Sequence, residues 1–138
     1  MAEKKTLSFV LMDAPFENER TVTAFRLIDA AIRRGHDVNV FAYEGAVSLS
    51  FAKQAQHPNP VHGRATAEEE DHPLPREWIV ALFGAAEKAG VKLDWINCGM
   101  CVDERGAGES APCPSRGSPA DLWKGAEASV NTLVIGTR

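Results

Sequence analysis

Val91-Lys92-Leu93-Asp94-Trp95-Ile96-Asn97-Cys98-Gly99-Met100-Cys101-Val102-Asp103-Glu104-Arg105-Gly106 passes from an apolar, strand-like run into a short helical one. Val91 to Ile96 reads as a buried strand, and Val102 to Arg105 as a helical turn that Cys101 opens. A strand feeding directly into a helix is the unit of parallel α/β sheets, which keep their reactive groups where strands end. Two of the three cysteines fall at this junction, three residues apart. One stretch thus predicts both a fold class and a place to look for chemistry.

Upstream, Thr6 to Met12 is a short apolar run closed by Asp13-Ala14-Pro15, a first strand and turn. From about Glu19 to Arg34, Val22, Phe25, Ile28 and Ile32 recur at helical spacing, and Gly35 stands where a left-handed terminator belongs. His36 is placed to bond the last carbonyls of that helix. Val38 to Tyr43 is a second strand, and Glu44 to about Gln56 holds a short helix. His57 to Pro75, rich in proline, histidine and acids, reads as a long surface loop. Pro75 suits the first turn of a helix with an apolar face of Trp78, Ile79, Leu82, Phe83 and Ala86, ended by Gly90. Downstream, Ala107 to Gly117 reads as loop. Ser118-Pro119-Ala120-Asp121 starts a last helix, running to about Glu127, before a final strand at Val130 to Ile135. This alternation predicts a mainly parallel sheet covered on both faces, in one domain spanning 1–138.

A domain of 138 residues buries about two-thirds of its unfolded surface and needs neither disulfide nor metal to be stable. Its cysteines are therefore expected to be chemical. The net charge of −4, with basic residues scattered singly or in pairs, argues against a nucleic-acid partner. Met1 to Lys5 shows no signal region, and the longest apolar run, Trp78 to Ala86, is too short to span a bilayer. The expected compartment is the cytoplasm, with no membrane contact. There three cysteines read as thiols, transient disulfides or ligands.

A thiolate is the nucleophilic form of cysteine, and a helix start or a nearby arginine lowers its pKa. Both influences are expected at Cys101, with Arg105 four residues on and on the same helical face. Cys98, at the strand end, is expected within sulfur-exchange distance of Cys101, and Gly99 to supply backbone angles that other residues resist. Three alternatives stand beside this. Cys98 and Cys101 can be merely packed thiols, Arg105 can pair with Asp103 or Glu104, and Cys113, between two prolines, can be either a bystander or a sulfur acceptor. A zinc site built from Cys98, Cys101, Cys113 and one of His57, His62 or His72 lacks the spacing such sites use, so no metal is expected. The glycines match neither the Walker nor the dinucleotide pattern.

Taken in order, the first strand and turn, Arg34-Gly35-His36, Phe41-Ala42-Tyr43-Glu44-Gly45, Cys98 with Arg105-Gly106 after it, and the Ser118-to-Leu122 helix start before Val130 to Ile135 resemble the DsrE/TusD-like family of sulfur-relay proteins over nearly the whole chain. The resemblance implies a flavodoxin-like three-layer α/β/α fold with a mainly parallel sheet. It also implies a homo-oligomer or an assembly with related subunits, a TusA-like sulfur donor or acceptor, and Cys98 as the sulfur-carrying cysteine. The chain departs from the family pattern in its second thiol, Cys101, and in the enlarged 57–75 loop. The expected function is carriage of sulfane sulfur as a persulfide on Cys98, with Cys101 sharing or resolving it and Arg105 stabilising the anion, without an organic cofactor. The alternatives are a CxxC dithiol-disulfide redox protein and a non-enzymatic oligomeric module that binds a ligand or partner.

Overall fold

The structure, a computed structural model, describes residues 3–17, 19–55, 61, 63–64, 73–106 and 108–136. Five strands, β1 (Thr6–Leu11), β2 (Asp37–Ala42), β3 (Leu93–Cys98), β4 (Ser115–Gly117) and β5 (Asn131–Ile135), form one all-parallel sheet in the order β4-β3-β2-β1-β5. Among the described residues four helices accompany them: α1 (Arg20–Arg33), α2 (Pro75–Ala89), α3 (Gly99–Glu104) and α4 (Pro119–Ala128). A 3-10 segment, Glu44–Ser50, follows β2. This is an α/β fold of flavodoxin-like arrangement.

Side-chain alternation divides the strands between two faces. Leu7, Phe9 and Leu11, Val38, Val40 and Ala42, and Leu93 and Trp95 meet Phe25, Ile28 and Ile32 of α1 and Ile79, Leu82 and Ala86 of α2. Each such aliphatic side chain, fully buried, contributes about 1.5–3 kcal/mol. Phe25 anchors this layer, its ring centroid 5.0 Å from that of Trp78 and 5.8 Å from that of Trp95. The apolar stripe of α1 is shifted from the expected one: Thr21, Ala24 and Ala31 join the buried face and Val22 is half-buried. Gly35 does end α1, at φ 84°, with the Gly35 and His36 N–H groups donating to the carbonyls of Ile32 and Ala31. The His36 ring has a different task from the one expected. Its Nδ1 accepts the Lys5 N–H at 3.2 Å, joining the helix end to the approach of β1.

The opposite face is covered by α4, which buries none of its residues completely. Ser118 N–H donates to Asp121 Oδ2 at 2.8 Å, so the capping serine and the acid three residues later fix the helix start. Several boundaries move by a residue or two, and three differences bear on the site. β3 begins two residues later and runs through Cys98, α3 starts at Gly99 rather than around Cys101, and Ser115–Gly117, expected to be loop, pairs with the end of β3. For Ser115–Gly117 pairing decides: residues of low strand propensity become strand because the neighbouring edge offers hydrogen bonds. The 57–75 loop lies outside the described residues over most of its length, and Pro75 opens α2 as expected.

Candidate functional site

The site grows from the carboxyl end of β3, where the chain turns from strand into helix. Cys98 is the last strand residue and the residue before the first turn of α3, and Cys101 lies within that turn. Both sulfurs are buried, in a small apolar cluster with Phe41 and Val47 that Tyr43, Ile96, Val102 and Leu122 complete. The two cysteines pack in the same cluster, at the junction of β3 and α3. The structure thus brings the two predicted thiols together. A groove of about 260 Å³ under α4 shares Phe41, Ile96 and Leu122 with the cluster, so the wall behind Cys98 is also the wall of the groove.

Beneath the thiols a buried polar network holds the end of β3 in place. Asn97 Nδ2 donates to Ser50 Oγ at 2.8 Å and to Ser110 Oγ at 3.2 Å, tying β3 to the 3-10 segment and to the connection after α3. An isolated antiparallel bridge between Phe51 and Ser110 runs alongside.

Cys101 is wrapped from the β2 side. Glu44 sits at φ 53°, a left-handed conformation that a residue with a side chain rarely takes. That conformation accompanies an N–H donated to Cys101 Sγ at 3.3 Å and a carboxylate, Oε2, that accepts from Arg105 Nη2 at 2.8 Å. The expected depression of the Cys101 pKa is therefore reversed. Burial pushes it up first, the neighbouring Cys98 adds to the rise, the Glu44 N–H opposes it, and the negative charge of Glu44 raises it further. Arg105 faces the Glu44 carboxylate, neither of the acids anticipated for it, and the pair is partly exposed. The Tyr43 phenol is also held protonated, by the charge of Glu44 before burial and the two sulfurs.

Two features of the site were missed in the sequence. Arg116, in register with Asn97, lies against the backbone of Gly99: a Cβ built on Gly99 would stand 2.8 Å from Arg116 Nε. Gly99 has no left-handed φ, so what it supplies is room for the arginine and not special backbone angles. Asp103 accepts from Arg116 Nη2. That bond and its charge, and more weakly the Cys98 sulfur, hold the guanidinium protonated. Arg116 fell within a stretch of glycine and proline that read as loop, and only the pairing of β4 brings it to the thiols. The second feature is Glu44, whose neighbours marked it only as part of a matching segment.

Cys113 is exposed and lies beside Val80, Phe83 and Gly84 of α2, on the face of the sheet away from α4 and the thiol cluster. Among the described residues no group of three or more His, Cys, Asp or Glu is arranged to hold a metal ion.

A family model described as the DsrE/DsrF-like family matches residues 5–134. No curated protein matches the chain in sequence. Among solved structures it is similar to the YchN protein from E. coli, with a TM-score of 0.69 at 17% identity over 96% of this chain and 99% of that one. At that identity the likeness is one of fold.

Proposed function

Because the chain belongs to the DsrE/DsrF-like family, which is associated with sulfur relay, we propose that it carries sulfane sulfur as a persulfide on Cys98 and passes it between thiols. The observation that carries this reading is the pair of buried thiols packed in one cluster at the carboxyl edge of β3, with a cationic side chain against Gly99, the residue after Cys98. The Cys98 thiolate attacks the outer sulfur of a donor persulfide; the donor's S–S bond breaks and the donor departs as a thiolate. An acceptor thiolate then takes the outer sulfur from Cys98 in the same way, so no net oxidation occurs.

Cys101, its pKa raised above all by burial, stays protonated beside Cys98 in the same cluster. The same protonation slows the competing route, in which a Cys101 thiolate attacks the inner sulfur, forms a Cys98–Cys101 disulfide and expels hydrosulfide. The donor or acceptor is a TusA-like protein, and the setting is the cytoplasm, where thiol pools keep both cysteines reduced. No helix among the described residues is long and apolar enough to cross a membrane. Assembly with a second copy is supported by the apolar residues left exposed on α4, on the edge strand β5 and between them, namely Trp123, Val134 and Val130.

The closeness of the thiols also favours a dithiol-disulfide reading, and one experiment separates the two. Intact mass after polysulfide treatment, with and without reductant, is expected to show a reductant-labile gain of sulfur. Loss of two hydrogens with no sulfur gained would instead mark a redox dithiol, and an unchanged mass a binding module.

A further inference from the structure

We infer that Arg116, and not Arg105, is the cation that positions the Cys98 sulfur, so that the two thiols are served by separate charged partners. Arg105 is committed to the Glu44 carboxylate, the same carboxylate that lies against Cys101. That side of the site is an acid and its counterion. Arg116 approaches from the other side, on β4, whose Gly117 is in register with Cys98. Its side chain crosses the backbone of Gly99, the residue after Cys98, at a distance that no Cβ would allow.

Asp103 anchors the guanidinium through Nη2, and among the described residues the Arg116 side chain makes no other hydrogen bond. An arginine has five N–H donors, so most of this fork is left for an anion. The side chain is 55% exposed, which keeps those donors at the surface where a donor protein must present its sulfur. On the persulfide reading, Arg116 binds the anionic outer sulfur and holds it outward, while Cys101 faces the inner sulfur. The pairing of Cys98 with Arg116, by contrast, stands without that reading.

The charged and titratable groups around Cys98 are Cys101 and Asp103 of α3, Arg105 just after it, Tyr43 and Glu44 after β2, Arg116 of β4 and Asp121 of α4, whose carboxylate crowds Gly117. Site-resolved alkylation of the full, reduced chain with iodoacetamide, followed by peptide mass spectrometry from about pH 6 to about pH 10, reads the Cys98 midpoint directly. Arg116→Gln is expected to raise that midpoint by about half a pH unit to one unit, less than a buried pair would give because the arginine is part-exposed. Arg116→Lys restores most of the shift, since it keeps the charge. Arg105→Gln moves the Cys98 midpoint by less than Arg116→Gln does.

Gly99→Ala, which displaces the arginine while leaving it charged, is expected to shift the midpoint in the same direction as Arg116→Gln and serves if that variant does not fold. An unmoved midpoint in both variants, or a larger shift from Arg105→Gln, overturns the assignment. The persulfide reading is scored apart from this by polysulfide loading of the wild type. If Cys98 takes up no sulfur while the alkylation shifts hold, the carrier role falls and the arginine assignment stands.

Discussion

At the scale of single residues, the site is a pair of thiols made unequal by their surroundings. Burial and negative neighbours hold the Cys101 thiol protonated, and this makes a prediction about stability. Its pKa in the folded chain is above the ordinary value near 9, so between the two values the unfolded thiol has lost its proton and the folded one has not. Stability therefore falls as pH rises through that window, and Tyr43 adds a loss of the same sign above its ordinary value near 10. Cys101→Ala is expected to flatten the decline in urea midpoint between about pH 8 and about pH 10; an equal decline in wild type and variant contradicts the environment assigned to Cys101. The sequence showed the two cysteines and their spacing because both lie in one local segment. It did not show Glu44 or Arg116 as neighbours, since each arrives from a strand paired with β3 or beyond it.

At the scale of elements, the carboxyl end of β3 is held by the Asn97 amide between Ser50 and Ser110. Removing the amide takes a donor from the buried Ser50 hydroxyl and the part-buried Ser110 hydroxyl and leaves them only their mutual bond at 3.4 Å, so Asn97→Ala is expected to cost about 1–3 kcal/mol by urea denaturation, and a loss under about half a kcal/mol would show that the network is idle. The elements readable in the sequence were those whose pattern is set locally. The period of α1, its glycine terminator, and Pro75 opening α2 needed no knowledge of the sheet. β4 was not readable because three residues, Ser115, Arg116 and Gly117, carry no strand signal of their own and become strand only against β3. The start of α3 was placed late for a related reason: Gly99 is a weak helix former, and it begins the helix where Arg116 needs its space.

At the scale of the molecule, the sheet's two faces are unlike. One is sealed by α1 and α2. The other carries α4, with Trp123 67% exposed, and ends in β5, an edge strand with Val134 59% exposed. Self-association there is expected to give a mass above that of one chain in light scattering of the reduced protein at micromolar concentration, and Val134→Lys to shift it toward monomer. A wild type that scatters only as monomer contradicts the assembly. The parallel, α/β character of the whole was legible from the alternation of apolar runs, whereas this asymmetry between faces was not, because it depends on how far one short helix reaches across the sheet.

The central claim is that Cys98 holds the sulfur, and the most direct test is peptide mass spectrometry of polysulfide-treated protein, without and with reductant. The account predicts a one-sulfur increment on the Cys98 peptide that reductant removes, that Cys98→Ser abolishes and that Cys101→Ser retains. Loading of Cys98→Ser to the wild-type level, or no labile sulfur on Cys98 in the wild type, would contradict it.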